Sequence, residues 1–290
     1  MRFSLQSRRS ASLMAALALA GCGGVANDIA DDVSQPTTDA LSCTLRNCTE
    51  SSTLNADEIS PRFTATQSND ERTVVVEGFL GKSANLLTTV MPAANERLSA
   101  SVDGGTEVTM TNADGKRFDY GASLAATSAQ AVVRVVFTRA GVRHVSEVTL
   151  PAAFTILQPT GSPALTRTSA DLPVRLSLAT TNTAGASASG SCSRTDGSSF
   201  AVKNVGLGAV AETSVAGGYR LVAASIDDAM NIVSRNVNNS APTTPLVARC
   251  QLTVAWGRTA WGTIAPTLNS HGTLGGVRQA THPLSYDAQR

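Results

Sequence analysis

Aromatic residues are scarce in this chain: two Trp, three Tyr and seven Phe make up 4% of 290 residues. Any core must therefore rest mainly on Val, Leu and Ala, and a carbohydrate cleft paved with many rings finds too few of them here. Histidine is scarcer still. His144, His271 and His282 are the only three, and none stands at ligand-like spacing to the cysteines, which argues against a zinc centre. Long apolar runs are missing too. The one near the N-terminus, Ala11 to Ala20, is about half the ~20 residues that a spanning helix needs. An excess of charge of either sign is absent: the formal net charge is +1. Nothing in that balance predicts binding to nucleic acid.

What the chain does have begins at its N-terminus. Arg2, Arg8 and Arg9 form a basic region ahead of the Ala11–Ala20 run, which leads into Leu19-Ala20-Gly21-Cys22. That layout reads as a processing segment, to be set aside from fold reasoning. Residues 19–22 resemble a lipobox. The resemblance implies transfer of a diacylglyceryl group to the Cys22 thiol, cleavage before Cys22 and usually a third acyl chain, palmitate or a similar fatty acid. Several chains make a stable anchor, because each buried CH₂ contributes roughly 0.8 kcal/mol. Arg8-Arg9 also hints at the twin-arginine route, but Ser10, Ala11 and Ser12 are not the bulky apolar residues that route prefers. Gly23, in place of Asp after the acceptor cysteine, favours the outer membrane by the same resemblance. Residues 1–21 carry +3, so the mature chain goes from +1 to −2.

Cys43, Cys48, Cys192 and Cys250 remain, an even number in an oxidising compartment, which argues for two disulfides. Three pairings are possible. Cys43–Cys48 and Cys192–Cys250 are favoured, the first as a small local loop and the second because both residues belong to the second half. Residues 23–60 hold seven acidic residues against Arg46 and no aromatic ring. They read as a flexible tether spanning 22–60, too polar to offset its own ordering entropy.

From Phe63 onward, short apolar runs alternate with turn residues. Ala131–Thr138 and Val142–Leu150 flank Arg139-Ala140-Gly141 and predict a hairpin, ended by Pro151. Leu172, Val174, Leu176 and Leu178 alternate with polar residues, as do Cys250, Leu252, Val254 and Trp256. Thr181–Gly190 reads as a thin strand leading into Cys192, and Tyr219–Ile226 as a further strand. The prediction is an all-β chain with two tandem β-sandwich domains, residues 61–155 and 156–266, a C-terminal tail at 267–290, and no helix after the signal segment. With the lipobox, the segment Val148-Thr149-Leu150-Pro151 and the strand Cys250–Trp256 give a layout that resembles two-domain, immunoglobulin-like envelope lipoproteins of Gram-negative bacteria. The resemblance carries over no functional residue beyond Cys22.

Candidate chemistry is thin. Gly206-Leu207-Gly208-Ala209-Val210-Ala211 matches a dinucleotide fingerprint with Asp227 downstream, but only about seven residues are left for the crossover helix, too few for a parallel unit, so a turn between strands is the better reading. Gly185-Ala186-Ser187-Ala188-Ser189-Gly190 lacks nucleophile-elbow spacing. Trp256 has the parity of a core residue; Trp261, five residues on, is placed at a strand end, and a role in stacking on sugar would need more aromatic partners than the chain offers. Asp227, Asp228 and Asn231 read as a polar turn rather than a cation site. No cofactor and no metal is expected. The function expected is a non-catalytic binding, adhesion or assembly role in the envelope. The anchor holds the bilayer through acylated Cys22, and the partner is an envelope protein or glycan, not nucleic acid. The alternative is an envelope hydrolase acting on glycan or ester.

Overall fold

Alternating apolar and polar residues dominate the chain, and they form strands almost throughout. The computed structural model describes residues 47–68, 72–113, 116–126, 128–179, 184–236 and 246–289. The expected signal segment, Cys22, Cys43 and most of the expected acidic tether lie outside the described residues. The first half supplies β1 (Cys48–Glu50), β2 (Ile59–Ser68), β3 (Thr73–Lys82), β4 (Asn85–Met91) and β5 (Arg97–Val102). It continues with β6 (Val108–Thr109), β7 (Thr111–Ala113), β8 (Lys116–Ala125), β9 (Val132–Arg139) and β10 (Val142–Thr149). The second half supplies β11 (Ile156–Gln158), β12 (Ala164–Thr166), β13 (Leu172–Leu176), β14 (Ala184–Arg194) and β15 (Ser199–Leu207). There follow β16 (Ala209–Glu212), β17 (Gly218–Leu221), the helix α1 (Ala223–Asn236), β18 (Val247–Trp261) and β19 (Thr273–Asp287).

One large sheet runs β1-β4-β3-β2-β19-β18-β14-β15, with β8 beside β3 and β12 beside the end of β19. Two four-stranded sheets, β10-β9-β5-β6 and β11-β13-β17-β16, complete the architecture. The long strand β19 explains how they fit. Its even-numbered residues 274–286 are all buried, so they share one face. Leu274 packs in a first core with Val76, Leu98, Val135 and Phe137, whereas Leu284 and Tyr286 pack in a second with Val174, Leu176, Tyr219 and Val254. The two small sheets therefore cover the same face of the large sheet, one towards each end of β19. Each half is a β-sandwich, and both share a layer.

The hairpin forms as the sequence predicts. Val142 pairs with Arg139 across a two-residue turn, in which Ala140 (φ 48°) and Gly141 (φ 78°) both adopt left-handed conformations. That is the turn whose twist suits paired strands. Val174, Leu176 and Val254 are buried, and Leu172 is half-buried. The thin strand leading into Cys192 is β14.

Four expectations are corrected. Residues 267–290 are no tail: β19 lies between β2 and β18, near the middle of the large sheet. For the same reason a boundary near 155 does not separate two bodies, and Arg46–Arg290 forms one compact unit. The tether does not extend to residue 60. Leu54, Ile59 and Ser60 are buried, the Ser51 hydroxyl donates to the Glu96 carboxylate, and Arg139 Nη2 donates to the Leu54 carbonyl at 2.6 Å. Tyr219–Ile226 is not one strand. Pairing stops at Leu221, and α1 begins at Ala223, whose amide donates to Asp171 Oδ1 at 3.2 Å. Ala223, Ile226 and Met230 are its buried apolar face. Its C-terminal end is held by buried Arg194, which donates to Ser234 Oγ (2.7 Å) and to the Ser234 carbonyl (3.0 Å), as a cation near a helix C-terminus should.

Candidate functional site

The inner face of the large sheet is covered; among the described residues its outer face is open. Strand parity assigns to that outer face Thr253, Gln251, Thr281 and Pro283 on β18 and β19, and Ser189 and Ser191 on β14, all exposed. Thr64 and Glu77 extend it onto β2 and β3. The surface is broad, pleated and mostly of small hydroxyl side chains, with few charges.

One end of this face has relief. Trp261 closes β18 and is 74% exposed. It pairs with Gly275 on β19, and its ring lies over that glycine: a Cβ built at Gly275 meets the Trp261 ring at 3.5 Å. Across the neighbouring strands the row continues from Gly275 to Thr64 and on to Glu77. Beside it lies a cleft of about 330 Å³ lined by Arg62, Thr64, Glu77, Phe79, Asp119 and Thr273. Among the described residues no ion pair joins Arg62 to Glu77 or Asp119. Gly78 forms the floor. Its φ of 156° and the Arg62 carbonyl, 2.0 Å from where a Cβ would stand, leave no room for a side chain. Just beyond Trp261, Gly262 lets the chain leave the sheet and pass β10, where a Cβ would meet the Glu147 carbonyl at 2.3 Å.

Trp261 apart, the residues singled out in the sequence fall elsewhere. Cys22 and Cys43 lie outside the described residues. Cys48 is disulfide-bonded and begins β1, which pairs in parallel with β4. Cys192 and Cys250 form a disulfide between directly opposed positions of β14 and β18. Gly206 and Gly208 lie at the end of β15 and in the turn to β16, so no helix follows the fingerprint and no dinucleotide unit exists there. Asp227, Asp228 and Asn231 sit on α1, not in a turn. Asp227 is engaged by Arg167 (3.0 Å), the Tyr286 hydroxyl (2.8 Å) and Asn231 Nδ2 (3.2 Å), and burial with that hydrogen bond pushes the Tyr286 phenol up. No group of three or more His, Cys, Asp or Glu stands ready to hold a metal ion among the described residues. None of their helices is long and apolar enough to cross a membrane.

His282, Trp256 and Arg278 belong to the inner face. Trp256 is fully buried and tilted against Tyr219, with ring centroids 5.2 Å apart. Arg278, near the middle of β19, donates to the carbonyls of Ala129 (2.9 Å) and Pro151 (3.3 Å). Burial pushes this guanidinium down from its ordinary range. His282 Nδ1 donates to the Pro283 carbonyl at 3.0 Å. Burial pushes its pKa down more than that bond raises it. His144, against Thr267 Oγ1 at 2.6 Å, is lowered chiefly by burial and further by Arg139.

These two histidines set a pH dependence. Below about 6.5, the ordinary imidazole value, the unfolded chain takes up protons that the folded rings resist. Stability is therefore full above that pH and is lost as pH falls below it. Urea unfolding at pH 7.5 and 5.0 is expected to show a lower midpoint at pH 5.0, and His282→Gln is expected to shrink the difference. A pH-independent midpoint in the wild type would contradict this.

Known proteins add little. No family model matches the chain, and no curated protein matches it in sequence. Solved structures similar to it include a chimeric titin Z1Z2 functionalized with an exogenous decorin peptide, at 12% identity and a TM-score of 0.22, covering 82% of this chain and 100% of that one. The BSP domain of a biofilm associated protein matches at 13% identity and a TM-score of 0.24 over 80% of this chain. The Yersinia pseudotuberculosis adhesin InvE matches at 12% identity and a TM-score of 0.21 over 78%. The chain spans 30% and 58% of the length of the last two. At such scores nothing about what those proteins do carries over to this one.

Proposed function

We propose that this chain is a lipid-anchored envelope protein that binds a partner, without catalysis, through the open face of its large sheet. The observation that carries this reading is the asymmetry of that sheet. One face is sealed by two smaller sheets and a helix, while the other presents a continuous hydroxyl-rich surface with an exposed Trp. Large exposed aromatic groups on an otherwise polar face mark recognition surfaces. The anchor rests on the sequence: Cys22 follows Leu19-Ala20-Gly21, and residues 23–46 give the body reach from the bilayer. By resemblance the membrane is the outer one.

The anchor is tested by feeding cells an alkyne fatty acid. Wild type is expected to take up the label, and Cys22→Ala to remain an unlabelled precursor, because no other residue of the motif carries a thiol. Equal labelling of the two would refute the anchor. A glycan hydrolase is the second reading, favoured by one observation: Glu77 and Asp119 line the same cleft. Shortening of an oligosaccharide on incubation with the protein would replace the non-catalytic reading.

A further inference from the structure

We infer that the strip of the outer face from Trp261 to Phe79 binds a linear glycan of neutral or N-acetylated sugars. The inference rests on the reading of this face as the binding surface and names its ligand class. Four neighbouring strands carry the strip, β18, β19, β2 and β3. Trp261, Gly275, Thr64 and Glu77 form one row across them, and Arg62 and Phe79 stand two residues further along on β2 and β3. With strands about 4.8 Å apart and residues about 3.4 Å apart, Trp261 and Phe79 are separated by roughly 16 Å. Between Trp261 and Glu77 the row carries only Gly275 and Thr64, so a flat, extended chain can lie across it.

The chemistry of the strip selects the ligand. The exposed Trp261 indole, whose six-membered ring approaches Gly275, can offer a face to the apolar C–H side of a sugar ring. Phe79 offers a second apolar contact in the cleft. Between the two rings, Glu77 accepts hydrogen bonds and Arg62 donates them, and Asp119, on β8 just beyond Phe79, accepts more, as sugar hydroxyls require. None of the three is engaged in an ion pair with another among the described residues. Two carboxylates against one guanidinium make the strip negative, which disfavours uronate or sulfated chains and nucleic acid. Its two aromatic groups come from parts of the chain 182 residues apart, which is why so ring-poor a sequence still assembles a stacking site.

The test uses the full mature, lipidated chain in detergent micelles. N-acetylglucosamine hexamer and cellohexaose are titrated by calorimetry and by intrinsic fluorescence, with a galacturonate hexamer and an extended polar peptide as competitors. Trp256 is fully buried, so a spectral shift reports on Trp261. Saturable binding of at least one neutral hexamer is expected, with little or none of the galacturonate. Trp261→Ala should weaken it at least about tenfold, the loss expected of a central aromatic anchor, while Trp261→Tyr retains part of the affinity. Trp261 is exposed, so its replacement leaves the fold intact. Ile232→Ala, exposed on α1 on the covered side, should bind as wild type does. Absence of binding to either neutral hexamer, unchanged affinity in Trp261→Ala, or tighter binding of galacturonate or peptide would each overturn the glycan assignment. If the face is nevertheless shielded in cells, the binding surface stands and only the glycan falls.

Discussion

Deleting residues 273–290 is expected to abolish the cooperative fold of the whole body. These residues read as a patternless tail, yet β19 is the strand on which both halves are built. It pairs with β18 from Arg249 to Trp261 on one side, and with β2 and β12 on the other. Its inward side chains Leu274, Leu284 and Tyr286 belong to two different cores. Each buried large apolar side chain contributes about 1.5–3 kcal/mol, and a folded domain is stable by only about 5–15 kcal/mol in all. Losing three such groups, together with the pairing of β19 to both β2 and β18, removes stabilisation comparable to that whole margin. Circular dichroism and thermal melting of the truncated protein should show no sharp transition. Native-like melting would mean that each half closes its sandwich without the shared strand.

The Cys192–Cys250 disulfide has the second large expected effect. It encloses 57 residues between its cysteines. The chain-entropy model assigns such a loop about 4 kcal/mol, an upper estimate. By sequence alone the cost of losing it falls on the second half. The structure changes that expectation, because β18 pairs along its length with β19, which belongs to both halves. Cys192→Ala/Cys250→Ala is therefore expected to lower the melting temperature of the whole body in a single transition. The replacement Cys48→Ala removes a bridge that begins at the edge strand β1 and should cost far less. Two separated transitions in the double variant would show that the halves unfold independently.

Much of the architecture was legible from two signals. The strand β13 and residues 250–256 of β18 alternate with a period of two, and the hairpin of β9 and β10 shows as two β-rich runs flanking a Gly-containing turn. β19 was not legible for a physical reason. Several of its inward positions are Gly276, Arg278 and His282, so burial does not coincide with apolar character. Pro283 also argues against a central strand. It is tolerated because β2 pairs with β19 only as far as Gln279, and β12 only from Ser285, so one side of β19 is unpaired at that point. The helix was masked by its start: Tyr219, Leu221 and Ala223 alternate like a strand, and only Ile226, Met230 and Val233 show the helical repeat. The candidate site was invisible for a different reason. Trp261 was singled out, but Arg62, Glu77, Phe79 and Asp119 are ordinary residues of strands until the pairing of β19 with β2 sets them beside it.

The open face as the binding surface is tested most directly by accessibility in the native envelope. Single cysteines at Thr64, Gln251 and Thr281 sample the outer face, and Ile232, 56% exposed on α1, lies on the covered side as a control. A membrane-permeant maleimide is applied to intact envelopes and to purified protein. The three outer-face positions are expected to react when purified and to be shielded in the envelope, while Ile232→Cys reacts equally in both. Equal reaction at all four positions in both settings would contradict the account.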